Sequence, residues 1–167
     1  MKVLLLSAST EKVNLPTLPL GLACVAAAVQ KAGHEVSLVD LKIEEDTRPL
    51  IKDAVGEFEP EMIGISIRNI DDQNMNDPRF LLMPVKEMVA SCRNYSDAIL
   101  VLGGAGYSIF PEKALAYLGA DMGVQGEGEV VFSELIARIA QGMDLSELPG
   151  LCLPGRGLPC ERVFVRN

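Results

Sequence analysis

Apolar runs of strand length alternate five times with stretches of helix length, and this alternation constrains the fold more than any other feature of the chain. Successive parallel strands can be joined only by long crossovers, so a repeated strand–helix unit demands a parallel sheet covered by helices on both faces. Lys2 to Ser7 reads as the first strand, and Leu18 to Ala32 as an Ala-rich helix, apolar almost all round, stopped by Gly33-His34. Glu35 to Asp40 is the second strand, and Arg48 to Phe58 a helix with Val55 and Phe58 inward, ended by Pro60. Met62 to Ile67 is continuously apolar and so belongs near the middle of the sheet. A polar loop at Asp71 to Asp77 precedes a helix from Arg79 to Cys92, interrupted near its start by Pro84.

Ala98 to Leu102 is the fourth strand, followed by Gly103-Gly104-Ala105-Gly106 and a short helix from Pro111 to Leu118. Asp121 to Gln125 is the fifth, and Gly126-Glu127-Gly128-Glu129 opens a last helix with Phe132, Leu135, Ile136 and Ile139 at core spacing. Leu151 to Leu153 and Val163 to Val165, around the turn Pro154 to Gly157, read as a β-hairpin. The expected fold is α/β: a doubly wound, five-stranded, mostly parallel sheet in the flavodoxin-like order 2-1-3-4-5, with a C-terminal hairpin. Residues 1–148 form one domain and 149–167 a connector.

The net charge of −8 comes with basic residues scattered along the chain, which argues against a nucleic-acid partner. The apolar stretch at the N-terminus ends at Ser7, too short for a membrane span. A cytoplasmic protein is expected. Cys24, Cys92, Cys152 and Cys160 match neither a zinc ribbon nor a disulfide framework and read as reduced thiols, with Cys24 filling the core. His34, the one histidine, is expected to end a helix rather than bind metal.

Doubly wound sheets bind ligands beyond the carboxyl ends of their strands, here Ser7 to Thr10, Ser66 to Asn69, Gly103 to Gly106 and Gly126 to Glu129. Nothing there forms a catalytic constellation, so no catalytic residue or protein metal ligand is assigned. Consecutive glycines at Gly103-Gly104 suit either a tight turn or close approach of a bulky ligand. Ser66 suits either a backbone hydrogen bond or a ligand, and Glu127 and Glu129 suit a helix N-terminus. A receiver domain would need acidic groups after the first and third strands, where Ser7-Ala8-Ser9 and Ser66-Ile67-Arg68 stand. An FMN-binding flavodoxin fits loosely through Ser7, Ser9 and Thr10, without the loop glycine.

Taken in order, Leu18-Pro19-Leu20-Gly21-Leu22-Ala23, Gly33-His34-Glu35-Val36 with Asp40, Ile63-Gly64-Ile65-Ser66, Gly103-Gly104 and Gly126-Glu127-Gly128-Glu129 resemble the cobalamin-binding domain of cobalamin-dependent radical S-adenosylmethionine (SAM) enzymes. The likeness covers roughly residues 1 to 150, and the hairpin resembles the connector toward the iron–sulfur barrel. The resemblance implies base-off cobalamin with its nucleotide tail threaded near Ser66 and Gly103-Gly104. It implies contacts at Ser7, Ser9, Leu20, Gly21, Ser66, Arg68, Asn69, Gly103, Gly104, Ala105, Gly106, Gly126, Glu127 and Gly128. Leucine at Gly104 is then expected to obstruct the tail.

The Asp-x-His-x-x-Gly motif that supplies a lower cobalt ligand in methionine-synthase-like domains is missing, since Thr10 to Pro19 holds no histidine, so cobalt would lack a histidine ligand, as the resemblance to the radical family permits. The Cys-x-x-x-Cys-x-x-Cys triplet is missing too, so SAM and a four-iron cluster would belong to a catalytic half in the same parent chain, a methyltransferase or an oxidative cyclase of the magnesium-protoporphyrin monomethyl ester type. A non-catalytic interaction or regulatory domain that kept the fold and lost the cofactor is the alternative.

Overall fold

The computed structural model describes residues 1–8, 18–41, 46–72, 76–77 and 79–156. Strands β1 (Lys2–Ser7), β2 (Glu35–Asp40), β3 (Met62–Ser66), β4 (Ile99–Gly103), β5 (Met122–Val124) and β6 (Leu151–Cys152) form one sheet in the order β2-β1-β3-β4-β5-β6. The first five run parallel in the expected order. The sheet has six strands rather than five, because the first arm of the expected hairpin pairs antiparallel with β5 through Gly123–Cys152 and Val124–Leu151. A short strand beside an open edge gains its hydrogen bonds there, and Leu151 and Cys152 are buried as a result. The other arm, 163–165, and Cys160 lie outside the described residues.

Helices α1 (Leu20–Lys31), α2 (Arg48–Phe58), α3 (Leu82–Tyr95), α4 (Pro111–Leu118) and α5 (Gly128–Gln141) cover the two faces. Alternation along each strand sorts the core. Leu4, Leu6, Ile63, Ile65, Leu100 and Leu102 pack with α2, α3 and α4, whereas Val3, Leu5, Met62 and Val101 pack with α1 and α5. Val3 to Leu6 of β1 are at most 1% exposed, and each such aliphatic contributes about 1.5–3 kcal/mol.

Three details differ from the sequence-based expectation. Helix α3 starts at Leu82, so Pro84 falls within its first turn, where an amide has no helical partner, and it does not interrupt the helix. Cys24 is exposed, not core. Only Leu22 and Val29 of α1 are buried, because the helix lies on the sheet along one stripe while its outer face, equally apolar, faces away. Phe58 is half-buried at the rim of the core on its side, beside buried Val55.

Candidate functional site

The C-terminal ends of β1, β3, β4 and β5 meet the first turns of α1 and α5 around a cavity of about 590 Å³. Register builds its sheet-side wall in two rows. Ser7 pairs with Ser66 and Ser66 with Gly103, a small and polar outer row. Two residues back on each strand, Leu5 pairs with Gly64 and Gly64 with Val101, an apolar inner row. Residues two apart share a face, so the inner row lies roughly 6.6 Å deeper. All six residues line the cavity, and Leu22 and Val25 of α1 with Phe132 of α5 line its helix side. A Cβ on Gly64 would come within 2.8 Å of Leu5 Cδ2 and 3.1 Å of Phe132 Cζ, so glycine lets the Phe132 ring rest against the sheet. Gly128 does the same between helices, since a Cβ there would lie 3.0 Å from Val25 Cγ2.

Two glycine loops form the mouth. Gly104 adopts φ +96°, and a Cβ there would sit 2.5 Å from the Ile67 carbonyl oxygen and 3.0 Å from Ser66 Oγ. Leucine at 104 would therefore break the turn itself, which corrects the expectation that it would merely obstruct the cavity. Gly103 is the position that faces the cavity: a Cβ there would meet only the Val124 carbonyl oxygen, at 3.7 Å. Ser108, in the 3-10 turn Tyr107–Ile109, joins the loops. Its hydroxyl donates to the Gly104 carbonyl (2.9 Å) and accepts from the Gly126 amide (3.0 Å). Gln125 Nε2 donates to the Ser108 carbonyl (3.3 Å), while the Gln125 amide donates to the Gly150 carbonyl (2.8 Å), tying the mouth to the segment that enters β6.

Below this loop Tyr107 is fully buried, with its hydroxyl against the Cys152 thiol. Burial pushes both the phenol and that thiol upward, so both stay protonated.

Of the residues expected at the site, Ser7, Leu20, Gly21, Ser66, Arg68, Gly103, Gly104, Ala105, Gly126, Glu127 and Gly128 line the cavity. Asn69 and Gly106 do not line it; a Cβ on Gly106 would lie 2.9 Å from the Arg68 carbonyl oxygen, so this glycine packs one loop on another. Ser9 lies outside the described residues. Glu127 occupies the N-cap position of α5 but makes no side-chain capping bond, and Glu129 sits in the first turn, where the helix dipole favours it. Sequence reasoning missed Leu5, Val101, Leu22, Val25, Phe132 and Ser108; the strand-interior Gly64 was the legible hint, since such glycines mark close approach.

Among the described residues no histidine, cysteine or methionine is in the lining. The only histidine, His34, precedes β2 at the other end of the sheet, roughly 20 Å away along a strand of six residues. Among the described residues no three His, Cys, Asp or Glu groups gather as a metal site, and no helix is long and apolar enough to cross a membrane.

Residues 7–136 match the B12 binding domain family. The chain is 29% identical over 150 residues to the tryptophan 2-C-methyltransferase of Streptomyces laurentii, covering 88% of this chain and 25% of that enzyme. Among solved structures it is similar to the radical S-adenosylmethionine methyltransferase TsrM from Kitasatospora setae, with cobalamin and a [4Fe-4S] cluster bound: TM-score 0.83, 29% identity, 92% of this chain and 30% of that one. The cobalamin-dependent S-adenosylmethionine radical enzyme OxsB, with aqua-cobalamin and S-adenosylmethionine bound, shares the fold at a TM-score of 0.69 and 20% identity, over 90% of this chain and 20% of that one. The chain thus spans about a quarter of the curated relative and 30% or less of these solved chains.

Proposed function

The chain belongs to the B12 binding domain family, and from that premise we propose that it holds base-off cobalamin at the C-terminal edge of its sheet, without a histidine ligand to cobalt. The two-row cavity carries this reading. Its apolar inner part suits the heteroaromatic base of the nucleotide tail, and its outer hydroxyls, Arg68 and loop amides suit the tail's ribose, phosphate and amide groups. The cavity-facing Gly103 leaves the entrance clear, and Ser7, Ser66, Gly104, Ala105, Gly126, Glu127 and Gly128 surround it. Asn69 and Gly106 fall to the surrounding loops in this proposal, and Ser9, by its place in the sequence just after β1, remains a proposed contact. Among the described residues the lining offers no His, Cys or Met, which supports a cobalt centre that takes no soft or imidazole ligand from this cavity wall.

When bound, cobalamin supplies a cobalt centre able to carry an alkyl group between donor and acceptor. This chain's part is to bind, orient and shield: the inner row keeps water from the base, and the glycine loops hold the outer row in place. The parent protein in this proposal is a cytoplasmic radical SAM methyltransferase or oxidative cyclase. Residues 1–148 are the cobalamin-binding unit, and 149–167 lead toward the catalytic half that holds SAM and the four-iron cluster. Family membership favours this reading over a flavin-binding or cofactor-free domain of the same fold.

The test is to incubate the purified chain with hydroxocobalamin, remove free ligand by gel filtration and record the visible spectrum of the protein peak. Near-stoichiometric retention with a base-off spectrum is expected. A folded chain that emerges colourless overturns the reading.

A further inference from the structure

The polarity of the cavity changes sharply between its two rows. Side chains in the outer row and mouth carry hydroxyls, a guanidinium and carboxylates at Ser7, Ser66, Ser108, Arg68, Glu127 and Glu129. The inner part is built from Leu5, Gly64, Val101, Leu22, Val25 and Phe132, none of which has a side-chain donor or acceptor. Backbone groups at that depth are engaged as well, because Leu5, Gly64 and Val101 sit side by side within continuous parallel ladders. Among the described residues, a group that reaches the inner row therefore meets hydrocarbon alone.

We propose that this two-row wall makes the domain selective among corrinoids by the base of the nucleotide tail, accepting an apolar benzimidazole and discriminating against purines. This rests on the cobalamin reading above and goes further, since the same mouth would serve any corrinoid. The carbocyclic ring and methyl groups of dimethylbenzimidazole need nothing the inner row lacks. Adenine brings an exocyclic amine and further ring nitrogens, which leave water without a partner, and an unpaired buried polar group is costly. The expected discrimination is about tenfold or more in Kd. Cobinamide, which has no base to bury, is expected to bind more weakly than cobalamin as well.

The experiment is equilibrium dialysis of the purified chain against cobalamin, an adenine-based corrinoid and cobinamide, read by visible absorbance. Cobalamin binding at least about tenfold tighter than the adenine analogue supports the inference. Equal Kd values for these two overturn it while leaving the cofactor reading standing. Binding of none of the three overturns that reading, and the inference with it. Val101→Thr places a hydroxyl in the inner row and is expected to narrow the gap between the two bases; a gap that stays the same in this folded variant counts against the inner row as its source.

Discussion

Ser108→Ala tests whether the cavity mouth is ordered by one side chain. The substitution removes the donor to the Gly104 carbonyl (2.9 Å) and the acceptor of the Gly126 amide (3.0 Å). The Gly104 carbonyl keeps the Ser108 backbone amide at 3.0 Å, so the group that loses its partner is the Gly126 N–H, on a half-buried residue. A hydrogen bond contributes about 0.5–1.5 kcal/mol, and stranding a buried donor costs about 1–3 kcal/mol. Partial access of water to Gly126 places the expected cost at about 1–2 kcal/mol. For a chain of 167 residues this corresponds to a fall in Tm of about 2–8 °C. The cobalamin Kd should rise about tenfold if that order must be restored on binding. Ser108→Thr retains the hydroxyl and should recover most of both losses. Thermal unfolding by circular dichroism and a visible-absorbance titration read the outcome. An alanine variant that melts within about 1 °C of the parent and binds equally well refutes the argument that Ser108 holds the loops together.

Gly103→Leu, whose Cβ meets only the Val124 carbonyl oxygen at 3.7 Å, should fill the entrance and cut cobalamin retention on gel filtration while leaving the Tm nearly unchanged. Gly64→Ala should cost about 1–3 kcal/mol by overpacking against Leu5 and Phe132, measured by denaturant unfolding, and should weaken cobalamin more than tail-free cobinamide. Burial holds the Cys92 thiol at about 12 against an ordinary 9.0, so at pH 8 iodoacetamide followed by peptide mass mapping should label exposed Cys24 and spare Cys92 until the chain unfolds. From the same shift, the unfolded chain releases this proton first, so the stability held below pH 9.0 should decline as pH rises toward about 12, read as a falling urea midpoint.

Strand order, helix order and the edge at which the cavity opens were all legible in the amino-acid sequence. The reason is local: apolar runs joined by helical crossovers leave few right-handed topologies, and residues that follow a strand must lie at its carboxyl end. Ser7, Ser66, Gly103 and Gly126 could thus be placed at the mouth from chain position alone. The inner row could not, because Leu5 and Val101 look like any other core residue until register sets them beside Gly64. The burial of α1 was hidden for a related reason: a helix apolar on every side does not declare which stripe meets the sheet, and so Cys24 proved exposed. The second role of 151–152 was also undetermined, since two apolar residues pair with whichever edge is open, and β5 supplied it. Sequence alone therefore determined the architecture and the outer row of the cavity, whereas depth, polarity gradient and the Ser108 link arose from side-by-side register and helix packing, which bring together residues far apart in the chain.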